Sequence, residues 1–262
     1  MILFELKKSQ LSSGFACIKH NIAYMPSPVP FGKLYMVATP IGNLGDITAR
    51  AARILSEVDS VYAEDTRVSG KLLAHLNLHK PLRSYREALE GPALQRAIDR
   101  VIAEINEGKT IAYISDAGTP GISDPGSYLV RKVVEAGITV IPLPGPSSMV
   151  TLLSVAGFAA QRPLCVGFLP KKKGHQTLMA KLRSTLENET TDCLVFMESP
   201  ERIVKLLEEL FGWQLPLEVC LGREITKLHE ELVRGELSQV LTIMRSRQSI
   251  KGEIVLAVQL RH

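Results

Sequence analysis

A chain of 262 residues, 45% of them apolar, is long enough to bury the cores of one large or two ordinary domains. Its 31 lysines and arginines against 27 acidic residues leave a net charge of only +4, so no basic tail announces nucleic acid. No stretch approaches the roughly 20 apolar residues of a membrane helix, and the four cysteines lack metal-ligand or disulfide-framework spacing.

The opening Met1-Ile2-Leu3-Phe4-Glu5-Leu6 carries an acid early and lacks a long apolar core, which makes a poor signal peptide. The alternating prolines of Met25 to Phe31 favour extended polyproline II. We expect residues 1–32 to form a disordered or extended lead-in, with Met25 a candidate for the true start.

Leu34 to Ala38 reads as a short apolar strand running into Thr39-Pro40-Ile41-Gly42-Asn43-Leu44-Gly45-Asp46, with Asp46 the expected N-cap of a helix bearing Ala51, Ala52, Ile54 and Leu55. The strand Thr110 to Ile114 leads into the longest loop, Ser115 to Gly126, which packs three glycines, two prolines and two aspartates ahead of a helix through Leu129, Val130 and Val133. A third loop, Pro142 to Ser148, follows the strand Thr139 to Ile141 and opens a helix through Met149, Leu152 and Val155. Glycines let backbone approach a ligand closely, and prolines order a loop in advance. Loops at the carboxyl ends of parallel strands are where open α/β sheets bind ligands, and three of them can converge on one rim. No G-x-G-x-x-G follows the first strand, so any nucleotide-like ligand is held by another loop design.

A second set of strands reads at Leu164 to Leu169, Cys193 to Met197, Leu217 to Leu221 and Glu253 to Val258. The expected fold is therefore α/β with two α/β domains, 33–157 and 158–262. Cys165, Cys193 and Cys220 fall in these strands and read as small buried hydrophobes in a reducing cytoplasm. His75 and His79 are four apart on an expected helix, but Leu76 stands where a metalloprotease motif needs glutamate, and no metal site is expected. Lys171-Lys172-Lys173 with His175 lies just past a strand end; it suits either a phosphate contact or a solvated turn.

Several of these segments, in chain order, resemble the signatures of bacterial small-subunit ribosomal RNA 2'-O-ribose methyltransferases, within the tetrapyrrole methylase superfamily. They are Thr39 to Thr48, Ala63 to Arg67, Ser115 to Gly126, Pro142 to Ser148, Gly167 to Lys171, Glu198 to Pro200 with Arg202, Gly222 to Lys227, and Lys251 to Leu256. The resemblance spans Lys33 to Val258. It implies S-adenosylmethionine in a cleft between the two domains, with contacts from Pro40, Gly42, Asp116, Ala117, Gly118, Ile122, Pro144, Gly145, Ser147, Phe168, Leu169 and Gly252. Asp116 alternatively serves as a turn former capping its own backbone. The implied substrate is a cytidine ribose in 16S ribosomal RNA of the small subunit, and the implied assembly is a cytoplasmic homodimer.

A ribose 2'-hydroxyl is scarcely ionised at neutral pH, so a base or nearby cation should assist transfer. The candidates within the resembling motifs are Glu198, Arg202, Glu224 and Lys227, beside Arg223 and Lys251. Glu198 ends an apolar strand, where desolvation raises a carboxylate's proton affinity. The spacings of Glu198 with Arg202 and of Glu224 with Lys227 equally suit structural ion pairs. Two other readings stand beside this one: a methyltransferase for a tetrapyrrole or other small acceptor, and an RNA-binding protein without transfer activity. Two departures bear on the choice. Ser84 to Glu90 replaces the usual histidine, asparagine and glutamate cluster after the third strand, and the chain stops at His262 where many relatives continue into a helical tail.

Overall fold

The computed structural model describes residues 32–85, 92–122, 126–158 and 160–261. Five short strands, β1 (Leu34–Val37), β2 (Ser60–Ala63), β3 (Leu82–Ser84), β4 (Ile111–Ile114) and β5 (Val140–Leu143), pair in the order β3-β2-β4-β1-β5. Every pairing among them is parallel, so all five carboxyl ends share one edge. Helices cover both faces, which is why every residue of β2 and β4 is buried. One face sends Met36, Tyr62 and Tyr113 against Ile98 and Val101 of α3 (Pro92–Asn106) and Leu129 and Val133 of α4 (Gly126–Glu135). The other sends Val37, Val61 and Ile114 against Ile54 and Leu55 of α1 (Ala49–Glu57) and Leu73 of α2 (Thr66–His75).

The second sheet contains β6 (Pro163–Phe168), β7 (Cys193–Glu198), β8 (Leu217–Arg223), β9 (Glu231–Glu236) and β10 (Ile254–Leu260), ordered β6-β7-β10-β8-β9. β6 and β7 are parallel and the other pairs antiparallel. One face buries Leu194, Phe196 and Leu256 beneath α6 (His175–Glu187), α7 (Ile203–Phe211) and α8 (Leu237–Arg245). The other buries Val195, Cys220 and Val255 against Met149, Leu152 and Ala156 of α5 (Ser148–Ala156). The helix α5 leaves the first sheet and packs on the second, so the described residues form one compact unit in which the loop before α5 faces the second sheet.

Three expectations are corrected. Asp46 does not cap α1; it closes a 3-10 turn, Leu44–Asp46, begun by Asn43, and Thr48 caps the helix by accepting from the Ala51 N–H at 3.1 Å. Cys165 is exposed, because β6 is an edge strand whose first residues are covered by no element among the described residues, whereas Cys193 and Cys220 are buried as expected. α2 ends at His75, so His79 does not share its helix. The expected lead-in to residue 31, Arg86 to Glu90, and Ser123 to Pro125 of the long loop lie outside the described residues.

Candidate active site

The loops after β1, β4 and β5 meet on the common rim. Thr39 and Gly118 pair as an isolated antiparallel bridge, and the Thr39 hydroxyl donates to the Ser115 carbonyl at 3.1 Å. Thr119 Oγ1 donates to the Pro146 carbonyl at 3.1 Å, which ties the long loop to the one before α5. Gly118 holds this path with φ of +86°, a left-handed conformation that glycine alone adopts without cost. A Cβ at Gly145 would stand 2.8 Å from that of Ala38, so the third loop lies directly against the end of β1.

Between this rim and the second sheet opens a cleft of about 320 Å³. The first sheet contributes Ile41, Ala117, Gly118, Thr119 and Ile122; the start of α5 contributes Ser147, Ser148 and Met149. Opposite stand Phe168, Met197, Glu198, Ile225, Gly252 and Val255. Phe168 and Ile122 are 54% and 52% exposed, an unusual state for large apolar side chains, and they flank the opening. Ser147 precedes α5 with its hydroxyl unused as a cap, and the first N–H groups of a helix have no intrahelical acceptor.

A second cavity of about 330 Å³ shares Ile41, Ala117 and Glu253 with the cleft as a common wall. Thr39, Pro40, Gly42, Leu44, Val68, Ser69, Lys71, Leu72, Ser115, Asp116 and Lys227 complete it. A third, about 190 Å³, lies between α6 and α7, lined by Lys171, Lys172, His175, Arg202 and Lys205, and meets the cleft at Glu198.

The expected cofactor residues therefore divide. Ala117, Gly118, Ile122, Ser147, Phe168 and Gly252 line the cleft. Pro40, Gly42 and Asp116 line the second cavity, and Leu169 the third. Gly145 supports the rim by its packing on Ala38, and Pro144 precedes it in the same loop. Asp116 Oδ1 accepts from the Asp65 N–H at 2.9 Å, so it ties two loops together rather than capping its own turn. Sequence reasoning passed over Met197, Ile225 and Val255 as cleft walls, because apolar residues at strand ends carry no signal distinguishing them from core.

Both candidate ion pairs form. Glu198 is 4% exposed; its Oε1 lies 2.6 Å from Arg202 Nη2 and accepts from the Ser199 N–H, while Arg202 Nη1 donates to the Leu169 carbonyl. Lys227 Nζ lies 2.8 Å from Glu224 and 3.1 Å from Glu253. Burial pulls the Lys227 ammonium down, but the hydrogen bonds to Glu224 and Glu253 outweigh it and hold the pKa above the ordinary lysine value. Glu224 is correspondingly lowered, first by the Lys227 hydrogen bond and then by the Glu253 N–H. That arrangement makes Lys227 a fixed cation at the wall of the second cavity. His175 sits between the Pro170 carbonyl and Glu209, whose hydrogen bond raises its pKa above 6.5. Among the described residues no cluster of three or more histidine, cysteine, aspartate or glutamate side chains is placed to hold a metal ion, and no helix is long and apolar enough to cross a membrane.

A parallel sheet whose glycine- and proline-rich loops face a second sheet across a ligand-sized cleft defines a two-sheet α/β protein with a ligand site at the rim of its parallel sheet. Residues 33–241 match the tetrapyrrole (corrin/porphyrin) methylases, and the chain belongs to that family. It is 42% identical over 230 residues, 87% of this chain and 76% of the relative, to the protein named ribosomal RNA small subunit methyltransferase I of Halalkalibacterium halodurans. The protein of the same name from Thermotoga maritima is 40% identical over 87% of this chain and 98% of its own length. Among solved structures, uroporphyrin-III C-methyltransferase of Thermus thermophilus complexed with S-adenosyl homocysteine superposes with a TM-score of 0.60 at 20% identity, over 86% of this chain and 97% of that one. Diphthine synthase gives 0.63 at 15% identity, over 87% and 90%. The fold expected from sequence is the one these structures share.

Proposed function

We propose that the chain is an S-adenosylmethionine-dependent methyltransferase that methylates the ribose 2'-oxygen of a cytidine in 16S ribosomal RNA of the small subunit. The observation that carries this reading is the convergence of three loops on one cleft in a chain about 40% identical to relatives named for ribosomal RNA methyl transfer. The uroporphyrin-III C-methyltransferase is 20% identical to this chain, against about 40% for the relatives named for ribosomal RNA, which favours the RNA acceptor over a macrocycle.

The cleft suits the cofactor chemically. Ile41, Phe168, Met197, Ile225 and Val255 offer apolar surface for an adenine ring and a thioether chain. The uncapped start of α5, at Ser147 to Met149, favours a carboxylate through its free N–H groups and the helix dipole. Bound there, S-adenosylmethionine supplies an electrophilic methyl group on a sulfonium. The protein's part is alignment and a dry wall, worth roughly 7 to 11 kcal/mol when geometry is held. Lys227, kept protonated by two carboxylates, stabilises negative charge developing on the acceptor oxygen while the hydroxyl proton passes to water. Glu198, fixed by Arg202 at the cleft wall, shapes the opposite side.

The cytoplasm and a homodimer fit this reading. Val150 and Val155 of α5 and Leu164 of the edge strand β6 are exposed apolar residues that a second copy would cover; a light-scattering mass of one chain would remove the dimer. The transfer itself is tested by incubating the protein with labelled S-adenosylmethionine and small ribosomal subunits from a strain lacking the related enzyme. Digestion and mass spectrometry should yield labelled 2'-O-methylcytidine. Label in a base-methylated nucleoside would overturn the ribose assignment.

A further inference from the structure

We propose that the second cavity receives the acceptor nucleotide, turned out of its strand, and that the Ser69 hydroxyl and the Lys71 ammonium hold it there. The inference rests on the RNA reading above and assigns that reading a substrate pocket. Three observations meet at this place. The cavity, about 330 Å³, is as large as the cleft beside it and adjoins it along Ile41, Ala117 and Glu253, so an occupant that reaches this border lies next to the cleft.

Ser69 sits on the face of α2 that lines the cavity, is 2% exposed, and has a buried hydroxyl without a hydrogen-bond partner. A buried hydroxyl left unpaired costs stability, and proteins retain few of them. A partner supplied by a ligand removes that cost on binding. The Thr226 hydroxyl, equally unpartnered, lies beside Gly42, which lines the cavity.

The remaining lining sorts by chemistry. Pro40, Leu44, Val68 and Leu72 provide apolar surface, with Leu44 38% and Val68 42% exposed at its edge. Lys71 carries no ion pair among the described residues and lies on the same helix as Ser69, and Lys227 faces them across the cavity. Apolar walls for a ring, one unsatisfied hydroxyl for its polar edge and cations for the flanking phosphate are what a splayed nucleotide requires.

Two variants test this. Ser69→Ala should lower kcat/KM for small ribosomal subunits by about 5- to 30-fold while leaving S-adenosylhomocysteine affinity, measured by calorimetry, within about twofold of wild type. It should melt no lower than wild type, since it deletes an unpaired hydroxyl. Lys71→Gln should weaken subunit binding and reduce the slope of log affinity against log salt by about one. Independently of transfer, cytidine 5'-monophosphate in the presence of S-adenosylhomocysteine should bind wild type and bind Ser69→Ala at least about fivefold more weakly. Equal kcat/KM in wild type and Ser69→Ala would overturn the pocket while leaving the RNA reading intact. A parallel loss of S-adenosylhomocysteine affinity would overturn it too. If the wild type binds cytidine 5'-monophosphate through Ser69 but places no methyl on RNA, the pocket stands and the RNA reading falls.

Discussion

Thr39 and Gly118 exchange both of their backbone hydrogen bonds, Thr39 N to Gly118 O at 2.9 Å and Gly118 N to Thr39 O at 3.1 Å. This single bridge joins the loops after β1 and β4 and fixes Ile41 and Ala117, the wall between the two cavities. Because Gly118 needs φ of +86°, Gly118→Ala should cost about 1 to 2 kcal/mol and lower the melting temperature by roughly 2 to 8 °C. Scanning calorimetry checks it, and an unchanged melting point would mean that the bridge does not hold the rim.

Gly252 lines the cleft with φ of +93°, and a Cβ there would stand 2.5 Å from Glu224 Cδ. Glu224 in turn binds Lys227 and accepts from the Glu253 N–H at 2.8 Å. Gly252→Ala should therefore displace Glu224, leave Lys227 held by Glu253 alone, and lower the transfer rate by about tenfold or more, with a stability loss of about 1 to 3 kcal/mol. Single-turnover rates and denaturant unfolding report the two effects separately.

The Glu198–Arg202 pair is asymmetric, with Glu198 almost wholly buried and the Arg202 side chain 27% exposed. Removing the arginine strands a buried carboxylate, whereas Glu198→Gln leaves a cation that reaches water. Arg202→Met should destabilise the protein by about 2 kcal/mol more than Glu198→Gln does, and the double variant should recover part of the loss. Urea titrations of the three proteins decide it; equal single losses would contradict the asymmetry.

Glu231 is held by Arg247 and, against the opposing effect of burial, by Arg223 as well, and its pKa falls from 4.5 to about 2. A lowered carboxylate stabilises the folded state above its unfolded pKa, so this contribution is complete above about pH 5 and fades as pH drops from 4.5 toward 2. Glu231→Gln should lower stability at pH 7 by on the order of 2 kcal/mol and flatten the acid limb of the stability curve. Melting temperatures between pH 2 and pH 7 should converge for the two proteins at the acid end.

The rim was legible in the sequence because its loops are marked by residues whose backbone chemistry is distinctive: Pro40, Gly42, Gly118, Pro144 and Gly145 all lie on it or brace it. The ion pairs were legible as spacings, since Glu198 and Arg202 are four apart and Glu224 and Lys227 three apart. What escaped was whatever shares its composition with ordinary core. Ile225 and Val255 belong to a hydrophobic cluster and line the cleft at once, and nothing local separates the two roles. β9 escaped because Glu231, Arg234 and Glu236 interrupt its apolar pattern, which an exposed edge strand tolerates. Ser69 gave no signal at all; an unpaired hydroxyl is a property of the folded surroundings rather than of the residue.

S-adenosylmethionine is proposed to bind in the cleft between the loop rim and the second sheet. Titration calorimetry with S-adenosylhomocysteine on wild type and on Gly118→Val tests it most directly. One site per chain in the wild type, and affinity reduced at least about tenfold in a variant that remains folded by circular dichroism, is the predicted result. No binding to the wild type, or equal affinity in both proteins, would contradict the assignment.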